Sequence, residues 1–362
     1  MEIKIYNHNI ELLGVIDAIQ SCIWHRSFYQ PGEFEIILPY TAWHQQLLQT
    51  QHYLTKDTYG EFGVIESVEI TQSEEGDWIH CQGRLGPSLL ARRIVFEQIS
   101  VSSSVEAVMR SLVHLCCIGP EDPDRIIPQL VLGDHIGSTP TITMQVTYQN
   151  VCHTLYKMVS THQVGFDVTL DPINKKLVFA CYRPVDRSHH QTHHPKAVFS
   201  QHYENIRSTR FIKNQRFKSN LALVGGQGEG EARVLALIGD AQGLDRYEVF
   251  VNAKDQRWEE ELTEQEYMEL LIQRGWQSIR PEVECFEADV TLNGSMIYRQ
   301  DFDLGDTVTI EQTKWNKQID AQITEITEVF DELGVRVIPT FGQSLSSYPN
   351  TANQDTSGSG ES

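Results

Sequence analysis

The segment that most limits the fold runs from Gly14 to Pro39. Two β-type runs, Ser21–Phe28 and Glu33–Leu38, flank Tyr29-Gln30-Pro31-Gly32. Pro presets φ and Gly accepts φ > 0, so Pro31-Gly32 predicts a chain reversal. After it, Phe34, Ile36 and Leu38 alternate with Glu33, Glu35 and Ile37. That period gives one apolar sheet face and one mostly solvated face. Further strands are expected at Glu2–Tyr6, Leu12–Ala18, Phe62–Thr71 and Asp77–Leu85, the last two closed by Ser73-Glu74-Glu75-Gly76. Short helices are expected at Thr41–Leu48 and Gly86–Arg93. Strands this close together suggest a barrel or a sandwich.

Composition changes near residue 100. Ser103-x-x-Glu106 reads as a capping box, with Val105, Val108, Met109, Leu112 and Cys116 on one helical face and Gly119-Pro120 as the stop. Asn150 is a good N-cap for a second helix striped by Val151, Leu155, Met158 and Val159. Strands Gly165–Leu170 and Lys176–Tyr182 follow, joined by Asp171-Pro172-Ile173-Asn174. Strands then return at Ile206–Phe217, Leu221–Val224, Arg233–Ile238 and Arg246–Asn252. Thr263-x-x-Glu266 opens a helix to about Gln277, with Tyr267, Leu270, Leu271 and Trp276 inward. From Glu284 to Gly342 the pattern is strands again. Thr351–Ser362 has no large apolar residue and should be disordered. A faint internal echo links Ile65-x-x-Val68, a hairpin and Gly83 to Ile323-x-x-Ile326, a hairpin and Gly342.

The chain of 362 residues is long enough for two or three domains with real cores. Its net charge of −20 argues against duplex DNA binding through a basic face. It has no apolar run of about 18 residues, so no membrane insertion is expected. The start shows no basic segment followed by an apolar one, so a cytoplasmic site of synthesis is expected. Seven scattered cysteines without a CxxC pair read as reduced thiols.

Several clusters invite a chemical reading. His189, His190, His193 and His194 are the candidate metal ligands, since i and i+4 positions share a helix face. No Glu completes an HExxH pattern and Pro195 disfavours helix, so a solvated loop is the expectation. Gly225-Gly226-Gln227-Gly228-Glu229-Gly230 looks like a phosphate cradle, but a strand, not a helix, should follow it. His80-Cys81 and His114-x-Cys116 are neighbours only in sequence; in a strand, adjacent residues face opposite ways. Glu259-Glu260-Glu261 and the Glu282/Glu284 pair read as solvated charge. Asp303-Leu304-Gly305-Asp306 reads as a turn into a strand, since it lacks the remaining ligands of a calcium loop. Neither a catalytic residue nor a cofactor is expected.

Gly14-Val15-Ile16-Asp17, then Ile23-Trp24, then Tyr29 and Pro31-Gly32-Glu33-Phe34-Glu35 together resemble the N-terminus of tail-hub proteins from long-tailed bacteriophages and prophages. The resemblance continues at Phe62–Glu69, Cys81–Arg93, Asn205–Arg210, Asn220–Gly230, Gly243–Val251, Asp303–Val308 and Pro339–Gly342. It covers siphophage tail-tip hub proteins and the related baseplate hub of contractile-tailed phages. It implies a mainly β chain with α+β insertions, containing two tube-like β-barrel domains and a small α+β domain. On that basis 1–99 forms the first barrel, completed by strands from 205–255. Residues 100–204 form the inserted α+β domain, 205–283 hold strands and a connecting helix, 284–345 supply the second barrel, and 346–362 are a disordered tail.

The resemblance further implies a structural protein of the virion, not an enzyme. Its expected partners are two further copies of itself, the tail tube or distal tail protein, the tape-measure protein, and a spike or receptor-binding tip protein. DNA would pass without specific binding. The other function classes are a tail-associated cell-wall hydrolase and a module binding carbohydrate or the host surface.

Overall fold

The computed structural model describes residues 1–56, 59–74, 76–258, 262–290 and 296–342. The tail expected at 346–362 and the Glu259-Glu260-Glu261 run lie outside the described residues.

The chain opens on an antiparallel hairpin of β1 (Ile3–Tyr6) and β2 (Leu12–Ile16). The Pro-Gly hairpin follows as β3 (Ser21–Ser27) and β4 (Glu33–Pro39), with Phe34, Ile36 and Leu38 buried. Gly32 is needed there for space, not for a positive φ. A Cβ on it would meet the His25 carbonyl oxygen at 2.3 Å and Leu85 Cδ1 at 2.6 Å. Helix α1 (Ala42–Leu47) is capped by Thr41, whose hydroxyl accepts from the His44 amide. Then come β5 (Tyr53–Thr55), β6 (Gly63–Ser73) and β7 (Gly76–Leu85), and a 3-10 turn at Gly86–Arg92.

In the next stretch β8 (Ile99–Ser104) leads into α2 (Val105–Val113). The cap is Ser104, not Ser103: the Ser104 hydroxyl accepts from the Ala107 amide. Ser103 is held extended opposite Ile142, so the cap passes to the next residue. Glu106 therefore makes no box; its carboxylate accepts from the Ile136 amide at 3.1 Å. After β9 (Leu130–Leu132) and β10 (Thr141–Val146), α3 (Val151–His162) starts at Asn150, whose side chain accepts from the His153 amide. Strands β11 (Gly165–Asp171) and β12 (Lys176–Tyr182) pair antiparallel, and β9 joins β12 in parallel.

Beyond these lie β13 (Val198–Ser200) and β14 (Ile206–Asn214). β15 (Leu221–Gly225), β16 (Leu235–Ile238) and β17 (Glu248–Asn252) form a three-stranded sheet of their own. Helix α4 (Glu264–Trp276) opens with the full Thr263/Glu266 capping box and packs Tyr267 and Leu271 on that sheet. Trp276, expected inward, is instead exposed at the end of α4. The chain continues with β18 (Val283–Val290), β19 (Thr307–Gln312), β20 (Lys317–Asp331) and β21 (Gly334–Gly342).

One sheet of 13 strands dominates, running β14-β18-β21-β20-β3-β4-β7-β6-β5-β1-β2 with β19 on β20 and β13 on β19. Strands expected in two separate barrels thus share one sheet, joined where β3 pairs β20. The path is open at both ends among the described residues. Among the described residues, strands from 205–255 do not pair with those of 1–99: β14 pairs β18, and β15–β17 stand apart.

The echo is a repeat of five strands: β3-β4-β7-β6-β5 matches β14-β18-β21-β20-β19. A bulge falls at the same place in both hairpins. Ile65 pairs Gly83 and Ser67 pairs Gln82, skipping Glu66; Ile323 pairs Phe341 and Glu325 pairs Thr340, skipping Thr324. Phe341, not Gly342, thus stands where Gly83 stands, one residue from the echo's alignment. Both tips close on a glycine with positive φ, Gly76 at 127° and Gly334 at 103°. The Ile65 amide donates to the His52 carbonyl at 2.9 Å, and the Ile323 amide to the Asp306 carbonyl at 2.8 Å. Cross-strand rings match as well. Trp24 stacks on Phe34 at 5.7 Å between centroids, and Phe211 lies 4.8 Å from Phe286. A lysine ammonium sits over each first ring, Lys56 at 5.3 Å and Lys317 at 5.2 Å.

Candidate assembly site

Within the chain the two repeats meet edge to edge. β3 runs along β20 from Ser27 opposite Glu325 to Cys22 opposite Phe330, and the Phe28 amide donates to the Thr324 carbonyl at 2.9 Å. The corresponding edges at the far ends are open among the described residues. The backbone of β14 pairs with β18 alone. Beyond Ile65, the backbone of β6 from Glu66 to Gln72 pairs with β7 alone. An open edge is a template for a further strand. The two edges differ in charge: β14 carries Arg207, Arg210 and Lys213 and no acid, whereas β6 carries Glu66 and Glu69 and no base. Ile70, on the face of β6 that turns toward the core, is 45% exposed.

A buried ionic cluster locks the seam between the repeats. Arg26 on β3 meets Glu61 at 2.7 Å and Asp303 at 2.5 Å. Arg299 bridges Glu61 at 2.9 Å and Glu328 on β20 at 3.2 Å, and Lys56 reaches Glu328 at 2.7 Å. The Tyr298 hydroxyl accepts from Arg26 and donates to Glu328. Burial opposes the Glu61 carboxylate, yet Arg26 and Arg299 hold its pKa down at about 2. Asp167 of β11 lies beside the cluster; burial, aided by the Glu61 charge, pushes its pKa up to about 7 against the pull of Arg26. Geometry of this kind fixes how strands sit.

The expected chemical candidates fall as follows. His189, His190, His193 and His194 lie on turns and bends, not on a helix. The His189 amide donates to Thr309, the His193 and His194 amides donate to the Gln191 side chain, and the His190 ring lies 3.6 Å from Asp320. Among the described residues no three His, Cys, Asp or Glu side chains gather in metal-binding geometry. The Gly225–Gly230 loop leads through a 3-10 turn to β16, and Arg233 packs back on its carbonyls. Cys81 is buried while His80 sits on the other face of β7; Cys116 is buried while His114 is exposed. Burial raises the Cys81 thiol to about 12, far from a reactive thiolate. Glu282 and Glu284 are held by Lys213, Asp303 by Arg26 and Asp306 by Arg187. Two surface clefts of about 40 and 50 Å³ are water-sized, well under the several hundred Å³ of a ligand pocket. Among the described residues no helix is long and apolar enough to cross a membrane.

Sequence reasoning missed the ionic cluster, because its members are spread from Arg26 to Glu328 and only folding gathers them. It also missed how far the repeat extends. The one signal was the Phe-Glu dipeptide, Phe34-Glu35 in β4 and Phe286-Glu287 in β18.

The chain belongs to the family described as Siphovirus ReqiPepy6 Gp37-like protein, whose model matches residues 2–343. No curated protein matches it. Its fold is similar to that of the 43 kDa tail protein of prophage MuSo2 from Shewanella oneidensis, at 13% identity and a TM-score of 0.58, covering 94% of this chain and 98% of that one. It is likewise similar to the tail protein from Neisseria meningitidis MC58, at 11% identity, TM-score 0.55 and coverages of 94% and 96%. Prophage tail protein gp18 from Listeria monocytogenes EGD-e gives 10% identity, TM-score 0.51 and 95% of both chains.

Proposed function

We propose that this chain is a structural protein of the phage tail: a hub whose three copies form a ring joining the tail tube to the distal tip or spike. The observation that carries this reading is the five-strand repeat, laid side by side in one sheet with a matching open edge at each end. Three such chains present six similar units around an axis, which suits a six-fold tube above and a three-fold tip below. The tube-like barrels of the hub are then closed between chains rather than inside one. Family membership and the fold shared with prophage tail proteins support a tail role.

In this reading the ring contacts the tube or distal tail protein, the tape-measure protein and the tip protein, and DNA passes through its centre. The protein is assembled in the host cytoplasm, enters the virion and never inserts in a membrane. The domain plan retained is a first unit in 1–99, an α+β insertion at 100–204, a connecting region at 205–283 and a second unit at 284–345. The role is mechanical and no catalysis is assigned. Gold-labelled antibody against the chain, applied to purified tails, tests the placement. Label confined to the tip end of the tube is expected; label along the whole tube, or none on tails, contradicts it.

A further inference from the structure

The seam inside the chain is a template for the contact between chains. In the first repeat Trp24 lies opposite Phe34, and in the second Phe211 lies opposite Phe286, each in the same ladder of strands. Phe211 therefore stands where Trp24 stands, Arg210 where Ile23 stands, Ile212 where His25 stands and Asn214 where Ser27 stands. On the facing strand, the shared bulge puts Ser67 where Glu325 stands, Glu69 where Thr327 stands, Ile70 where Glu328 stands and Thr71 where Val329 stands. β3 pairs β20. Their counterparts, β14 and β6, are the two open edges.

We infer that β14 of one subunit adds, antiparallel, to the Glu66–Gln72 edge of β6 in a second copy of this chain, with Phe211 opposite Ile70. The inference rests on the hub reading and fixes the surface and register by which the ring closes. Asn214 then faces Ser67, Ile212 faces Glu69 and Arg210 faces Thr71. The Gln215 amide donates to the Glu66 carbonyl, as the Phe28 amide does to Thr324.

Three observations fit a second copy as occupant. The β14 edge is basic and the β6 edge acidic, and in this register Arg210 reaches Glu69 on the diagonal, a productive cross-strand distance; Lys213 faces Val68 and keeps its own pairs with Glu282 and Glu284. Ile70, 45% exposed in the single chain, is covered by the half-buried ring of Phe211. Slipping the register by one residue would set Glu69 against that ring and turn Ile70 to the other face. The two edges are different surfaces, so the contact is heterologous: each subunit uses both, and the series ends only when the ring closes.

A cysteine pair tests the register. By the template, Asn214 and Ser67 form a non-hydrogen-bonded pair, the closer kind in an antiparallel ladder. The double variant Ser67→Cys/Asn214→Cys, oxidised and run without reductant, should convert most chains to covalent dimers and trimers. Ser67→Cys/Lys213→Cys puts the thiols on opposite faces and should stay monomeric on the gel. The native cysteines are all buried and do not compete.

Ile70→Glu, a change at a half-exposed site, should leave the melting curve in place and raise the concentration needed for assembly by about tenfold or more. A trimer by native mass spectrometry with no Ser67–Asn214 cross-link, or an Ile70→Glu protein that assembles like the parent, overturns this register and leaves the hub reading standing. Cross-links to a different protein only, in assembled tails, overturn the choice of occupant. A chain that stays monomeric at every concentration and does not cross-link overturns both.

Discussion

Arg26 and Glu61 meet at 2.7 Å with side-chain exposures of 11 and 7%, on two segments that only the fold brings together. Arg26 belongs to β3, the strand that carries the seam to β20, and Glu61 also holds Arg299. Both residues lie in the first repeat, and through Asp303 on Arg26 and Arg299 on Glu61 the pair ties that repeat to the second half of the chain.

Removing one partner should be costly. Glu61→Ala leaves Arg26 and Arg299 buried without their shared carboxylate, a loss of about 3–5 kcal/mol by the usual cost of orphaning a buried charge. Urea unfolding followed by tryptophan fluorescence should show the midpoint drop. An unchanged midpoint would mean that the cluster is not structural.

The two carboxyls at the seam predict opposite pH dependences. Glu61 has a folded pKa of about 2, below its ordinary 4.5, so its contribution is complete above pH 4.5 and is lost as pH falls toward 2. Asp167 has a folded pKa of about 7, above its ordinary 3.8, so stability from its neutral form is complete below pH 3.8 and is lost as pH rises toward 7. Melting temperature against pH should thus fall from about pH 5 to pH 7 in the parent and fall less in Asp167→Asn. Parallel curves for the two proteins would contradict the account.

Much of this architecture was legible in the sequence because its signals are local. Pro31-Gly32 and the Phe34/Ile36/Leu38 alternation gave β3 and β4, and Asn150 and the Thr263/Glu266 box gave the starts of α3 and α4. Errors arose where tertiary pairing overrode local chemistry. Ser103 has the right spacing to Glu106 for a cap, but strand pairing with Ile142 keeps it in β8. Trp276 is a different case: nine residues, or two and a half turns, beyond Tyr267, it falls on the opposite face of α4, so helical phase alone accounts for its exposure. The repeat was barely visible, because glycine at 83 faces Phe34 where Phe341 faces Phe286: the geometry is kept while the residues differ.

Equivalent rings should respond differently to deletion. Trp24 is fully buried in the single chain, so Trp24→Ala should cost about 3–5 kcal/mol in chain stability. Phe211 is only half-buried, so Phe211→Ala should cost the isolated chain less and weaken assembly more. Comparing thermal melts of dilute protein with sedimentation at high concentration separates the two effects. Equal losses of chain stability would contradict the equivalence drawn here.

Cell-wall zymography, with and without added zinc, should show no clearing. The thiols are buried, and the four candidate histidines sit on a loop without a common metal geometry. A clearing zone abolished by Cys81→Ala or His193→Ala would contradict the structural role.

Duplex DNA should not adhere to the ring. Each chain carries −20, and an acidic or neutral passage releases no counterions from phosphates. Fluorescence anisotropy with a short duplex should give no binding in the micromolar range at physiological salt. Tight binding that weakens steeply with salt would place a basic wall along the passage.

The central claim is that two repeats per chain become six units in a ring of three. Cryo-electron microscopy of the purified protein at high concentration tests it most directly, paired with a native mass. The account predicts top views with three-fold symmetry, six similar sheet units around an open centre, and a mass three times the 41.4 kDa chain. A closed two-fold dimer, or a ring of six chains as the only assembly, would contradict it.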